Sequence, residues 1–148
     1  MGRVSGDAYI IRRVSPPRPN MDYVTRKSET RMRATSAALF LREGERGLSC
    51  SQLAITSPKQ LLAQVDASVS DGWEVAIWKV DDIPADYFEV VETSSNPPEL
   101  DPGHCEIRPT TLFSQKLQSK LAKTSTILTH EEIDTLYAGD IPVGFTFC

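Results

Sequence analysis

At 148 residues, with 40 % hydrophobic and 24 % charged side chains, the chain has the balance of one globular domain, which excludes fibrous, mucin-like and wholly disordered architectures. Its net charge of −4 conceals an uneven split: residues 1–46 carry ten Arg or Lys against five acids, a surplus of +5, and residues 47–148 carry six against fifteen, −9. No apolar run approaches the roughly 18 residues that span a bilayer, and the first residues lack the apolar stretch of a secretory signal. Cys50, Cys105 and Cys148 are widely spaced with no Cys-x-x-Cys, so the expectation is a reducing cytoplasm, no disulfide framework and no membrane association.

Residues 1–20 read as a basic, Pro-rich arm. Ala8–Ile11 is a candidate short strand that Pro16-Pro17-Arg18-Pro19 stops, because proline has no N–H for a ladder. Residues 21–148 read as one compact domain. Asp22–Arg26 reads as a strand, Thr25–Arg33 as a polar, basic loop, and Ala37–Arg42 as a short apolar run open to strand or helix. Glu43–Gly47 is a turn and Leu48–Leu53 a strand. Ser57-Pro58-Lys59-Gln60 is a helix start, with Ser57 at the N-cap, Pro58 at the first helical position and Gln60 closing a capping box. That helix is expected to run to about Val65 with Leu61, Leu62 and Val65 inward, and Asp71-Gly72 to end the connection.

Trp73–Val80 is apolar on both faces, which predicts a central strand covered on both sides. Tyr87–Val91 and His104–Arg108 read as strands flanking a long Pro-containing loop, Thr93–Gly103. Leu112–Lys123 carries Phe113, Leu117 and Leu121 on one helical stripe. Thr129-His130-Glu131-Glu132 is a second capping box, opening a short helix that ends by Gly139. The apolar Ile141–Cys148 is expected to pair with the sheet or lie in a groove. Without a regular β-α-β-α rhythm, the fold class is a small α+β domain with a mixed, largely antiparallel sheet and about three short helices.

The chain contains neither Gly-x-x-x-x-Gly-Lys nor Gly-x-Gly-x-x-Gly, and no Gly-x-Ser-x-Gly elbow. His104-Cys105-Glu106 holds half of a zinc-deaminase signature, but no Pro-Cys-x-x-Cys follows it. No metal and no cofactor is therefore expected. Three groups carry candidate chemistry. His104 and Glu106, two apart on a strand, share a face and suit general acid–base catalysis. Arg26, Lys27, Arg31 and Arg33, with Ser49, offer guanidinium forks, an ammonium and a hydroxyl for phosphate oxygens. Cys50 as a nucleophile would need His104 as its base. Set against these stand the plainer readings: a half-buried strand with polar residues outward, a solvated basic loop, and a buried structural thiol.

The order Tyr23-x-x-Arg26, Ser36-Ala37-x-x-Phe40, Gly47-Leu48-Ser49, His104-x-Glu106-Ile107 resembles a family of small uncharacterised bacterial proteins. The likeness spans residues 21–128, and it implies Arg26, Ser49, His104 and Glu106 as shared polar positions. Arg26, Ser49-Cys50-Ser51 and Glu106 also stand in the order used by ADP-ribosyltransferase-like domains, without their Ser-Thr-Ser triplet or paired glutamates. The leading expectation is a domain that binds an anionic partner: a nucleotide, a nucleic acid or an acidic protein surface. The bacterial resemblance adds an accessory role in a mobile or defence locus. The alternatives are an enzyme acting on a nucleotide or NAD, and a structural subunit of a larger assembly.

Overall fold

A computed structural model describes residues 2–65, 72–95 and 98–140. Asp71, Asn96, Pro97 and the tail Ile141–Cys148 lie outside the described residues, so the expectation for the tail has no structural counterpart here. Eight strands form one sheet: β1 (Tyr9–Val14), β2 (Val24–Arg26), β3 (Met32–Ala34), β4 (Leu48–Gln52), β5 (Glu74–Lys79), β6 (Phe88–Glu92), β7 (His104–Pro109) and β8 (Thr126–Ile127). Their order is β2-β3-β8-β5-β1-β4-β7-β6, and every pairing is antiparallel. The helices are α1 (Pro58–Ala63), α2 (Gln115–Lys123) and α3 (His130–Thr135). The fold is α+β, as the sequence predicts.

β5 bears out the two-faced pattern. Ala76 and Trp78 enter the larger core with Ile10, Leu48, Cys50, Cys105 and Ile107, over which α2 lays Leu117 and Leu121. Val75 and Ile77 enter a second core on the opposite face with Ile11, Leu53, Leu61 and Ile133, closed by α1 and α3. Both capping boxes form: Ser57 with Gln60, and Thr129 with Glu132. α2 starts at a Ser114 cap, so Leu112 lies ahead of the helix. The run at Ala37 resolves into a single 3-10 turn, Ser36–Ala38.

Residues 1–20 do not form an arm. β1 sits at the centre of the sheet, paired along its whole length with β5 and in part with β4, and Ile10 and Ile11 are both fully buried. Adjacent apolar residues with no exposed partner are the mark of a strand covered on two faces, the same mark that identifies β5. Upstream, Arg3 bridges Val91, and the N–H of Val4 donates to Val90 O at 2.9 Å, so the chain start covers the β6 edge. The stretch expected as a loop between Thr25 and Arg33 is a hairpin of β2 and β3. β8 was not anticipated; at two residues it has no periodicity to read.

Candidate functional site

Beyond its partial ladder with β4, β1 leaves an opening. The two strands pair at Ile10–Gln52 and Ile11–Ser51 and then part, while β1 continues along β5 and β4 along β7. The next two pairs in register, Arg12 opposite Cys50 and Arg13 opposite Ser49, are not made. A side chain replaces them: Arg12 Nη1 donates to Ser49 O at 2.7 Å. Successive strand residues face opposite sides, so Arg12 and Arg13 enter the gap from the two faces of the sheet. Arg13 Nη1 donates to Leu61 O at 3.1 Å and Gln64 Oε1 at 2.9 Å, holding the end of α1, where bare carbonyls favour a cation.

The opening is a cavity of about 330 Å³ whose wall includes Arg12, Arg13, Arg42, Ser49, Ser51, Trp73, Asp101 and His104. Burial lowers the pKa of both Arg12 and Arg13 from its usual value; Glu45 offsets part of that for Arg12, and the Arg12 charge adds to it for Arg13. Arginine nonetheless stays protonated, so charge is held here at an electrostatic cost. Arg12 Nε is buried without a hydrogen-bond partner among the described residues. Three guanidiniums stand against two carboxylates, Glu45 and Asp101. Neither acid bonds to these arginine side chains. Glu45 accepts from the Arg42 backbone N–H at 2.8 Å, and Asp101 is taken up by neutral donors.

Asp101 is 4 % exposed and is the tie of the long loop. It accepts from Ser51 Oγ, from Thr56 Oγ1 at 2.9 Å and from the Gly103 N–H at 3.2 Å. Its own N–H donates to Ser95 Oγ at 3.1 Å. A Cβ on Gly103 would stand 2.8 Å from Thr56 Oγ1, which is why the residue after Pro102 has no side chain.

The expected site residues divide into two groups. Ser51 faces His104 and Ser49 faces Glu106 across β4 and β7, so Ser49, His104 and Glu106 share one face, and the first two line the cavity. His104 Nδ1 lies 2.6 Å from Thr93 Oγ1. Glu106 is committed to Arg108 Nε at 2.8 Å and does not line the cavity. The basic residues lie elsewhere: four strands separate β3 from β7, and Arg26 does not share a cleft with Ser49 and His104. Lys27 Nζ donates to Ser125 O and Thr126 Oγ1, Arg31 grips both Glu132 oxygens and Ile127 O, Arg33 bonds Ala34 O and Arg26 bonds Glu29 O. Sequence reasoning missed Arg12, Arg13, Arg42 and Asp101, because only strand pairing brings them together.

Cys50 and Cys105 are opposed across β4 and β7 and both are buried. Alternation turns Cys50 away from the face that bears His104, so that histidine cannot serve as its base. Burial pushes the Cys50 thiol up to about 12 and the Cys105 thiol higher still. Since the thiolate is the reactive form, iodoacetamide at pH 8 is expected to leave both unmodified in the native protein and to alkylate both in urea. Mass mapping of the two cysteine peptides checks this; rapid labelling of either in the native protein would contradict it.

No protein-family model, curated protein or solved structure matches the chain. No helix among the described residues is long and apolar enough to cross a membrane.

Proposed function

We propose that the protein binds a small molecule bearing a phosphate or carboxylate, in the cleft where β1 and β4 part. The observation that carries this reading is the convergence of Arg12, Arg13 and Arg42 on one cavity, with a buried Arg12 N–H left without a partner among the described residues. Desolvated guanidiniums are costly unless something compensates them, and an oxyanion supplies both the charge and the missing acceptors. The cavity lies at the lower end of the size range of small-molecule sites. Ser49 and His104 add a hydroxyl and an imidazole to its wall. An extended nucleic acid is less well served, because Lys27 and Arg31 spend their donors on β8 and α3 within the fold.

Arg42 is the residue to change. It is exposed, and its side chain makes no hydrogen bond or ion pair among the described residues, so its loss leaves the fold intact. Calorimetric titration with inorganic phosphate at low ionic strength is expected to show saturable binding that weakens as salt is added. Arg42→Ala is expected to weaken it by about tenfold, the worth of one charge-assisted hydrogen bond, with the urea midpoint unchanged. Absence of binding by the native protein, or equal affinity in the variant, would overturn the proposal.

A further inference from the structure

Arg12 and Arg42 mark where an anion sits in the cleft; the rest of the same wall bears on what that anion is attached to. On the α1 side of the sheet the wall is made largely of short polar side chains with bonding capacity to spare. Ser15 Oγ and Ser49 Oγ face the cavity with no hydrogen-bond partner among the described residues. His104 spends Nδ1 on Thr93 Oγ1, which leaves Nε2. Arg13 spends Nη1 on Leu61 O and Gln64 Oε1, which leaves Nε and Nη2. Gln64 Nε2 in turn donates to Leu100 O at 3.3 Å, so this side is tied in place around groups that are still open.

An anion alone would call only for donors. A serine hydroxyl both donates and accepts, which matches a ligand that itself presents hydroxyls. Trp73 adds a flat apolar surface. The register Arg13–Val75 and Val14–Glu74, carried one residue further, sets Trp73 beside Ser15, and its indole is half-buried in the cavity wall. A sugar ring offers both matching faces, hydroxyls around its edge and C–H groups on one side, and the C–H side covers an indole without stranding a polar group. A nucleobase is less well served. Phe40, the other aromatic ring of the wall, packs against the core on the opposite face of the sheet, so among the described residues no second ring closes a sandwich over Trp73.

We infer that the ligand is an anionic monosaccharide. Its phosphate or carboxylate lies between Arg12 and Arg42, its hydroxyls meet Ser49, His104 and Ser15, and one face of its ring rests on Trp73. The gap between β1 and β4 joins these groups, since residues from both faces of the sheet line one cavity. This rests on the anion-binding reading above and specifies its ligand class. Sugar phosphates and sugar acids share this chemistry, and two arms of one experiment separate them.

The full chain is titrated by calorimetry at fixed ionic strength. One arm compares inorganic phosphate with pentose and hexose phosphates, and the other compares acetate with glucuronate and gluconate. In one arm, at least one sugar is expected to bind about twentyfold more tightly than its parent anion, two hydroxyl hydrogen bonds at about fivefold each. That arm names the anionic group. Ser49→Ala is expected to lower this sugar-to-anion ratio by about fivefold. Trp78 is fully buried, so tryptophan emission also reports on Trp73; it is expected to shift to shorter wavelength with the sugar and not with the parent anion. Equal affinity for sugars and parent anions, with the anions bound, would overturn the sugar and leave the anion site standing. No binding by any of these ligands would overturn both. A ratio that Ser49→Ala does not move, an emission shift produced equally by the parent anion, or tighter binding of adenosine monophosphate than of ribose 5-phosphate would each overturn the inference.

Discussion

Asp101→Ala is expected to destabilise the protein by about 3–5 kcal/mol, the cost of breaking a buried, hydrogen-bonded charged group. The carboxylate satisfies Ser51 Oγ on β4, Thr56 Oγ1 just before α1 and the Gly103 N–H just before β7. Its removal strands three donors at once, and each sits where water is scarce. Asp101→Asn keeps the shape but replaces one acceptor oxygen with a donor, so it relieves fewer of the three and is expected to cost about 1–2 kcal/mol. Urea unfolding monitored by tryptophan fluorescence gives both numbers. Equal midpoints for the Ala variant and the native protein would refute the role assigned to Asp101 as the tie of the loop. The same substitution bears on the cleft, because the loop forms part of its wall. Weaker phosphate binding by Asp101→Ala under conditions where it remains folded would therefore report lost positioning, since removing a negative charge should by itself strengthen an anion site.

Trp78→Ala is expected to cost about 3–5 kcal/mol, the range for deleting a large aromatic side chain from a packed core. Against a total stability of order 5–15 kcal/mol, that brings the chain close to unfolding. Trp78 is fully buried, and its indole N–H donates to Leu121 O at 3.1 Å, fastening the last turn of α2 to the central strand β5. Trp78→Phe separates the two contributions. It retains most of the apolar volume and loses the hydrogen bond, and Leu121 O still accepts from Thr124 Oγ1 at 2.8 Å. The expected cost is then about 1–2 kcal/mol. A Phe variant as unstable as the Ala variant would mean that the hydrogen bond, not the packing, holds α2.

Elements with local signals were legible in the sequence. Both capping boxes are written in four consecutive residues, and both form with the expected partners. The two-faced apolar pattern of β5 needs only the strand period. β3 and β8 carry no such mark. Met32-Arg33-Ala34 pairs with β2 in a local hairpin too short to show a period, while Thr126-Ile127 becomes a strand only by meeting Met32 on one side and Ala76-Ile77 on the other, partners distant in the chain. β1 was half legible. Ile10-Ile11 signals burial on two faces, but Arg12-Arg13 immediately after it, and the prolines beyond, suggest a chain leaving the fold. The structure reconciles the two by opening the β1–β4 ladder where the arginines begin. For the site, the shared face of Ser49, His104 and Glu106 follows from period-two alternation once β4 and β7 are aligned. The gathering of Arg12, Arg13, Arg42 and Asp101 does not, because their positions along the chain say nothing about which strands meet.

The central place of β1 also governs how the chain acquires its structure. Tyr9–Val14 finds one partner at Ser51–Gln52 and the other at Glu74–Lys79, so on the ribosome β1 has to wait for partners that are made long after it. The sheet cannot grow outward from its start by adding neighbouring hairpins; its middle closes over long loops, whose entropy must be overcome before any rung returns energy. Such a topology belongs with slow, non-local folders. Until β4 and then β5 arrive, Ile10 and Ile11 form an apolar segment with bare edges, and the adjoining Arg12-Arg13 pair and Pro16-Pro17 are the kind of residues that keep such a segment from pairing with other chains. The arginines that open the cleft in the finished fold thus stand guard over the strand while it is alone.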